Sequence, residues 1–187
     1  MARMPRKTNH SLVRDELTKL LSARFSGIEI GVEQSARWDR LCVTFRWDGF
    51  ADMLPEERFR RLLMHIPEKC REGILRGAVW LELAPGETVD EYLAMPRSDD
   101  IVGREKTIAH RLIRSGFFEE LERKVGPLPV EQCMASFAVS RELLRKRGFS
   151  PRESQEACLL FIRHGAYADC EVLLQARPAI LELETPS

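Results

Sequence analysis

Leu41-Cys42-Val43-Thr44-Phe45-Arg46-Trp47-Asp48-Gly49 is the stretch from which the architecture is read. Leu41, Val43, Phe45 and Trp47 alternate with Cys42, Thr44 and Arg46, the two-residue period of a strand with one face toward a core. Asp48-Gly49 then turns the chain. Just upstream, Ile28, Ile30 and Val32 alternate with Glu29, Gly31 and Glu33, a second half-buried strand. Before it, Val13, Leu17, Leu20, Leu21 and Phe25 repeat near 3.6 residues across Ser11–Phe25, a helix that Gly27 ends. Downstream, Pro55 suits a first helical position, and Phe59, Leu62, Leu63 and Ile66 share a face. Glu56, Glu57, Arg58 and Arg60 are assigned mostly to water. Pro67 interrupts that helix, and a second short one reaches Leu75. Val79, Leu81 and Leu83 alternate with Trp80 and Glu82 in a third strand, stopped by Pro85-Gly86. The order α-β-β-α-α-β predicts an α+β unit, a small three-stranded sheet covered by helices.

Beyond this unit the pattern becomes helical. Met95-Pro96-Arg97-Ser98-Asp99-Asp100 is the best boundary, polar and broken by proline. The expected organisation is a disordered basic leader over 1–10, an α+β unit over 11–95, a linker over 96–104 and a mainly helical C-terminal unit over 105–187. Glu105–Ser115 and Phe117–Val125 are separated by Gly116, and Val130, Cys133, Met134, Phe137, Ala138 and Leu144 mark one face of a helix reaching Arg147. Ser150-Pro151-Arg152-Glu153 is a capping box with proline at the first helical position. The helix it opens is apolar on several sides and therefore central. Periodicity leaves both strand and helix open for Cys170–Leu174.

The 187 residues are 44% hydrophobic and 31% charged, with a formal net charge of zero, so no global field draws in nucleic acid or an anionic membrane. No apolar run reaches the ~20 residues that span a bilayer, and Arg3, Arg6 and Lys7 are not followed by the apolar core of a secretory signal. Five widely spaced cysteines, an odd number without a Cys-x-x-Cys pair, argue against a disulfide framework and for a reducing cytoplasm.

Two resemblances follow from residue order. Cys133, Gly148-Phe149 and then Gly165, Tyr167, Asp169, Cys170, Glu171, Val172 and Leu173 make roughly Glu131–Gln175 similar to a small bacterial domain family of unknown function. That family carries a Cys-x-His near a helix start and ends in Gly-Gly-Tyr-Cys-Asp-Cys-Glu-Val-Leu. Ala135 replaces its histidine and Ala168 its first terminal cysteine. The first half, about 12–93, resembles BolA-like proteins, which have a class II KH-type fold, in element order. Phe50, the Glu57-Arg58-Phe59-Arg60-Arg61-Leu62 helix and a final strand followed by Glu87-Thr88-Val89 also contribute. The family's functional histidine falls near Gly77 here, so its iron–sulfur role does not transfer. Nor does the chain hold the Gly-x-x-Gly loop with which KH modules grip phosphates, since Gly73 and Gly77 are one residue too far apart.

Three sites are candidates. Cys133, His164 and Cys170 converge if two helices pack antiparallel, with Asp169 or Glu171 as a fourth group, and zinc is the cofactor such a set would take. The plainer reading buries Cys133 in its helix face and packs Cys170 beneath the final segment. Arg141, Arg145, Lys146, Arg147 and Arg152 form the densest basic cluster, able to meet phosphates, although Glu142 and Glu153 dilute it and no aromatic platform accompanies it. Trp80, alternating against Val79 and Leu81, either points out as an anchor for a protein partner or packs beneath other structure. No nucleophile and base set is recognisable around His65, His110 or His164. The expectation is therefore a cytoplasmic, non-catalytic binding or adaptor protein with a protein partner and no membrane association. The alternatives are a nucleic-acid-associated regulator using the basic helix end and a degenerate metal or thiol sensor using Cys133 and Cys170.

Overall fold

The computed structural model describes residues 10–73, 75–126 and 136–184. The protein is α+β, with a three-stranded mixed sheet, and its chain divides into two compact units at Met95/Pro96. In the N-terminal unit, α1 (His10–Leu21) buries Val13, Leu17 and Leu21. β1 (Glu29–Ser35) pairs antiparallel with β2 (Arg40–Arg46), placing Ile30 opposite Phe45 and Val32 opposite Val43. β3 (Val79–Leu83) pairs in parallel with β2 on its other side, Val43 opposite Trp80 and Phe45 opposite Glu82. Parallel pairing requires a crossover, and it contains α2 (Pro55–Leu63) and α3 (Glu68–Glu72).

Val43 and Phe45 face a core of Leu17, Leu21, Phe25, Phe50, Leu62 and Ile66. Each of these large side chains is almost wholly withdrawn from water, a gain of roughly 1.5–3 kcal/mol apiece before entropy. The opposite side of the pleat holds a second cluster, in which Cys42, Leu81 and Leu83 meet Tyr92 of α4 (Val89–Ala94). On this second face the cover lies over β3 and the adjoining part of β2, while Glu29, Gly31 and Glu33 of β1 are exposed. Thr88 opens α4 with a capping box: its Oγ1 accepts from Glu91 N at 3.2 Å, and Glu91 Oε2 accepts from Thr88 N at 2.7 Å.

Two residues of α2 depart from the sequence expectation. Glu57 and Arg58, assigned to water, are each 1% exposed. Glu57 reaches back to accept from Leu54 N at 2.9 Å, satisfying a donor at the helix start. Arg58 donates to Met53 O (2.9 Å), Glu82 O (2.7 Å) and Glu87 Oε2 (2.6 Å), so its fork is held by two carbonyls and a carboxylate.

In the C-terminal unit, Ser98–Ile101 forms a 3₁₀ turn with Ile101 buried, so part of the stretch read as a linker is packed structure. α5 (Glu105–Arg114) and α6 (Phe117–Val125) are separated by Gly116 at φ +66°, a left-handed position that favours glycine. α7 (Ala138–Lys146) and α8 (Pro151–Arg163) follow. α8 is the central helix, with Glu156 through Ile162 all buried and the Phe161 ring stacked on Phe117 at 5.6 Å. Ser150 Oγ accepts from Glu153 N and Glu153 Oε2 from Ser150 N, completing the capping box. Gly165, at φ +80°, ends the helix. Cys170–Leu174 is helical: α9 (Asp169–Glu171) runs into a π-helical turn over Val172–Ala176 and then α10 (Arg177–Glu182). Among the described residues no helix is long and apolar enough to cross a membrane.

Candidate functional site

Trp80 lies on the helix-covered face of the sheet, because the β3 pleat turns Val79, Leu81 and Leu83 toward α4 instead. Its half-buried ring sits 5.7 Å from Phe45 and 5.5 Å from Phe59 of α2. Phe59 is 43% exposed, so the pair forms an aromatic step from the core to the surface. β3 is an outer strand of the sheet. Trp47 N donates to Leu83 O, fixing which carbonyls of β3 face β2. By the alternation of a parallel ladder, the backbone groups of Trp80 and Glu82 face the other way. The Glu82 carbonyl on that side accepts from Arg58. Trp47 points into the same core, edge-on to Phe25 and Phe50, with its Nε1 donating to Ser26 O at 3.1 Å.

At the turn from α2 to α3 an open groove of about 430 Å³ is lined by Arg60, Met64, His65 and Arg71 among others. His65 packs edge-on against Phe25 at 5.4 Å. Burial, reinforced by the cations Arg24 and Arg61, pushes its pKa below the ordinary 6.5, which favours the neutral ring.

The C-terminal motif is held by its own acids. Glu171 Oε2 accepts from Tyr167 N at 2.7 Å, closing the turn after Gly165. Asp169, 8% exposed, accepts from Val139 N at 2.9 Å and from Ser140 N at 2.8 Å, capping the first turn of α7 from a distance in sequence. Its own N–H donates to Ser136 O at 3.1 Å. Burial pushes the Asp169 pKa up, opposed by the bonds from Ser140 and Val139 and by the charge of Arg141. No local pattern signals this cap, because its donors lie 29 and 30 residues away.

Cys170 is buried and disulfide-bonded, which corrects the expectation of thiols throughout. A sulfur in that state offers no thiolate to a metal. Cys42, Cys70 and Cys158 are buried and not disulfide-bonded, while Cys133 and Ala135 lie outside the described residues. His164 ends α8 half-buried, with its Nε2 buried and without a partner among the described residues. Those residues contain no group of three or more His, Cys, Asp or Glu placed to hold a metal ion.

The basic cluster is interlocked with acids. Lys146 and Lys124 both donate to Glu142, holding its carboxyl down at about 2. Arg147 pairs with Glu120 and also donates to Ser115 O. Arg152 reaches Glu156 at 3.1 Å, a carboxylate that Arg104 also binds. The Arg141 guanidinium lies over the Phe137 ring at 5.8 Å, and Arg145 is exposed. Most of the positive charge that sequence places at this helix end is thus compensated locally.

Compared with protein-family models, with curated proteins and with solved structures, the chain matches none.

Proposed function

We propose that the chain is a cytoplasmic, non-catalytic binding or adaptor protein whose partner is another protein, docking at Phe59 and Trp80. The observation that carries this reading is the exposed Phe59 ring set on Trp80 at the outer strand of the sheet. Aromatic anchors of this kind supply a large share of binding free energy at protein interfaces. Three of the four cysteines among the described residues, Cys42, Cys70 and Cys158, lie outside any disulfide, which supports a reducing compartment, while the bond at Cys170 counts against it. A non-catalytic role draws support from His65, turned against Phe25 and kept neutral by its surroundings, and from the basic residues engaged in ion pairs.

The test is affinity capture with the full chain, the captured protein being identified and its dissociation constant measured. Phe59→Ala should weaken that complex roughly tenfold or more while leaving the circular dichroism spectrum unchanged. Trp80→Ala should do the same at some cost in stability. Affinity undiminished in a folded Phe59→Ala protein removes this surface from the reading.

A further inference from the structure

We propose that the groove at the turn from α2 to α3 is a binding site for a small phosphate monoester. This goes beyond the protein-binding reading and does not depend on it, since neither Phe59 nor Trp80 lines the groove. The lining divides by chemistry. Arg60 and Arg71 outweigh Glu68, so the groove carries net positive charge even with His65 counted as neutral. Arg24 and Arg61 add two further cations whose field already reaches the His65 ring. Leu63, Met64 and Ile66 supply an apolar wall beside these charges. A ligand matching this arrangement carries a compact double negative charge on a short apolar body. A phosphate monoester brings a charge of about −1.5 to −2 at pH 7 and three acceptor oxygens, where a carboxylate brings a single charge. The groove volume of about 430 Å³ falls in the range of small-molecule sites.

Arg71 is the residue that points to an occupant. Its Nε is buried and finds no acceptor among the described residues. A stranded donor raises the energy of the free protein. An anion in the groove relieves that cost by drawing the guanidinium toward itself and accepting from its planar fork. Arg60, exposed on α2, meets the same phosphate from the other helix. His65 registers occupancy. The charged groups around it are Arg24 from the segment after α1, Arg60 and Arg61 from α2, and Glu68 and Arg71 from α3. A dianion beside the ring offsets those cations and favours the protonated imidazole, so the protein takes up a proton as the ester binds.

The experiment titrates the full chain with phenyl phosphate at pH 7 and follows amide chemical shifts by NMR. Amides from Leu63 to Arg71 should move and saturate, with a Kd of about 1 mM or tighter. Benzoate, the same ring with a single charge, should bind roughly tenfold more weakly. Arg71→Gln and Arg60→Gln should each raise the Kd for phenyl phosphate roughly tenfold, and Arg60→Gln, at an exposed position, carries the test if Arg71→Gln does not fold. Arg145→Gln, an exposed cation of the other unit, should leave the Kd unchanged. With saturating phenyl phosphate the His65 midpoint should rise by roughly half a unit or more. Shifts that grow without saturating, shifts as large around Arg145 as in the groove, benzoate bound as tightly as phenyl phosphate, a His65 midpoint that ignores the ester, or folded arginine variants that bind like the wild type would each overturn the site.

Discussion

Arg58 sits in the interior of the N-terminal unit with a cation's hydration replaced atom by atom. Two backbone carbonyls and both oxygens of Glu87 stand where water would be, and the rings of Phe50 and Tyr92 lie within about 6 Å of its guanidinium carbon. Removing one member of such a set leaves the other charge buried and unmatched. Arg58→Ala should therefore cost about 3–5 kcal/mol in urea unfolding. Arg58→Lys should recover little, because an ammonium cannot present the planar fork that Glu87 and the Glu82 carbonyl receive. A loss below 1 kcal/mol would show that the network contributes little to stability. His65 supplies a pH test at the same scale. Its folded pKa lies below 6.5, so the unfolded chain takes up a proton first as pH falls. Its contribution to stability is present above about pH 6.5 and is lost as pH drops from there toward the folded value. A proton NMR titration should place the His65 midpoint below 6.5. Arg24→Gln, at an exposed position, should move it partway back, since burial is the larger cause.

Secondary-structure elements were the most legible level, and the places where reading failed have physical reasons. β3 runs from Val79 to Leu83 as its alternation indicated, and α8 starts at Pro151 as its capping box indicated. Side-chain periodicity and cap chemistry are local signals that survive tertiary packing. A helical pattern places Arg58 in water because it reports hydrophobicity, whereas burial of a charge depends on acceptors such as Glu87, 29 residues on. Phe59, apolar but 43% exposed, is the converse error. α4 is not legible from periodicity although Thr88 and Glu91 have capping-box spacing, because six residues carry too little period to read. The candidate sites were legible only as residue types. Sequence showed cysteine at 170 but not its bond, and aspartate at 169 but not its donors. Ser150→Ala should destabilise the C-terminal unit by about 1 kcal/mol, the usual worth of a helix N-cap hydroxyl. Thermal unfolding of this variant identical to wild type would mean that Glu153 and the packing of α8 hold the helix start unaided.

At the scale of the whole molecule, each unit has apolar material of its own. The clusters around Val43 and around Leu81 belong wholly to residues before Met95, and the Phe117, Phe137 and Phe161 rings belong wholly to residues after it. Fragments 10–95 and 96–184 should therefore each unfold cooperatively when expressed alone, with a sigmoidal urea transition by circular dichroism. A fragment that is unfolded without the other would show that its core is incomplete in isolation. The parallel pairing of β2 with β3 also bears on biosynthesis. A ribosome that has released the chain only through Arg46 has supplied a two-stranded hairpin, a structure marginal by itself in water. The side of β2 that β3 will occupy stays open to foreign strands until the crossover helices and Leu83 have emerged. The speed of translation across that interval, more than any later event, sets how long the nascent protein is exposed to misassembly.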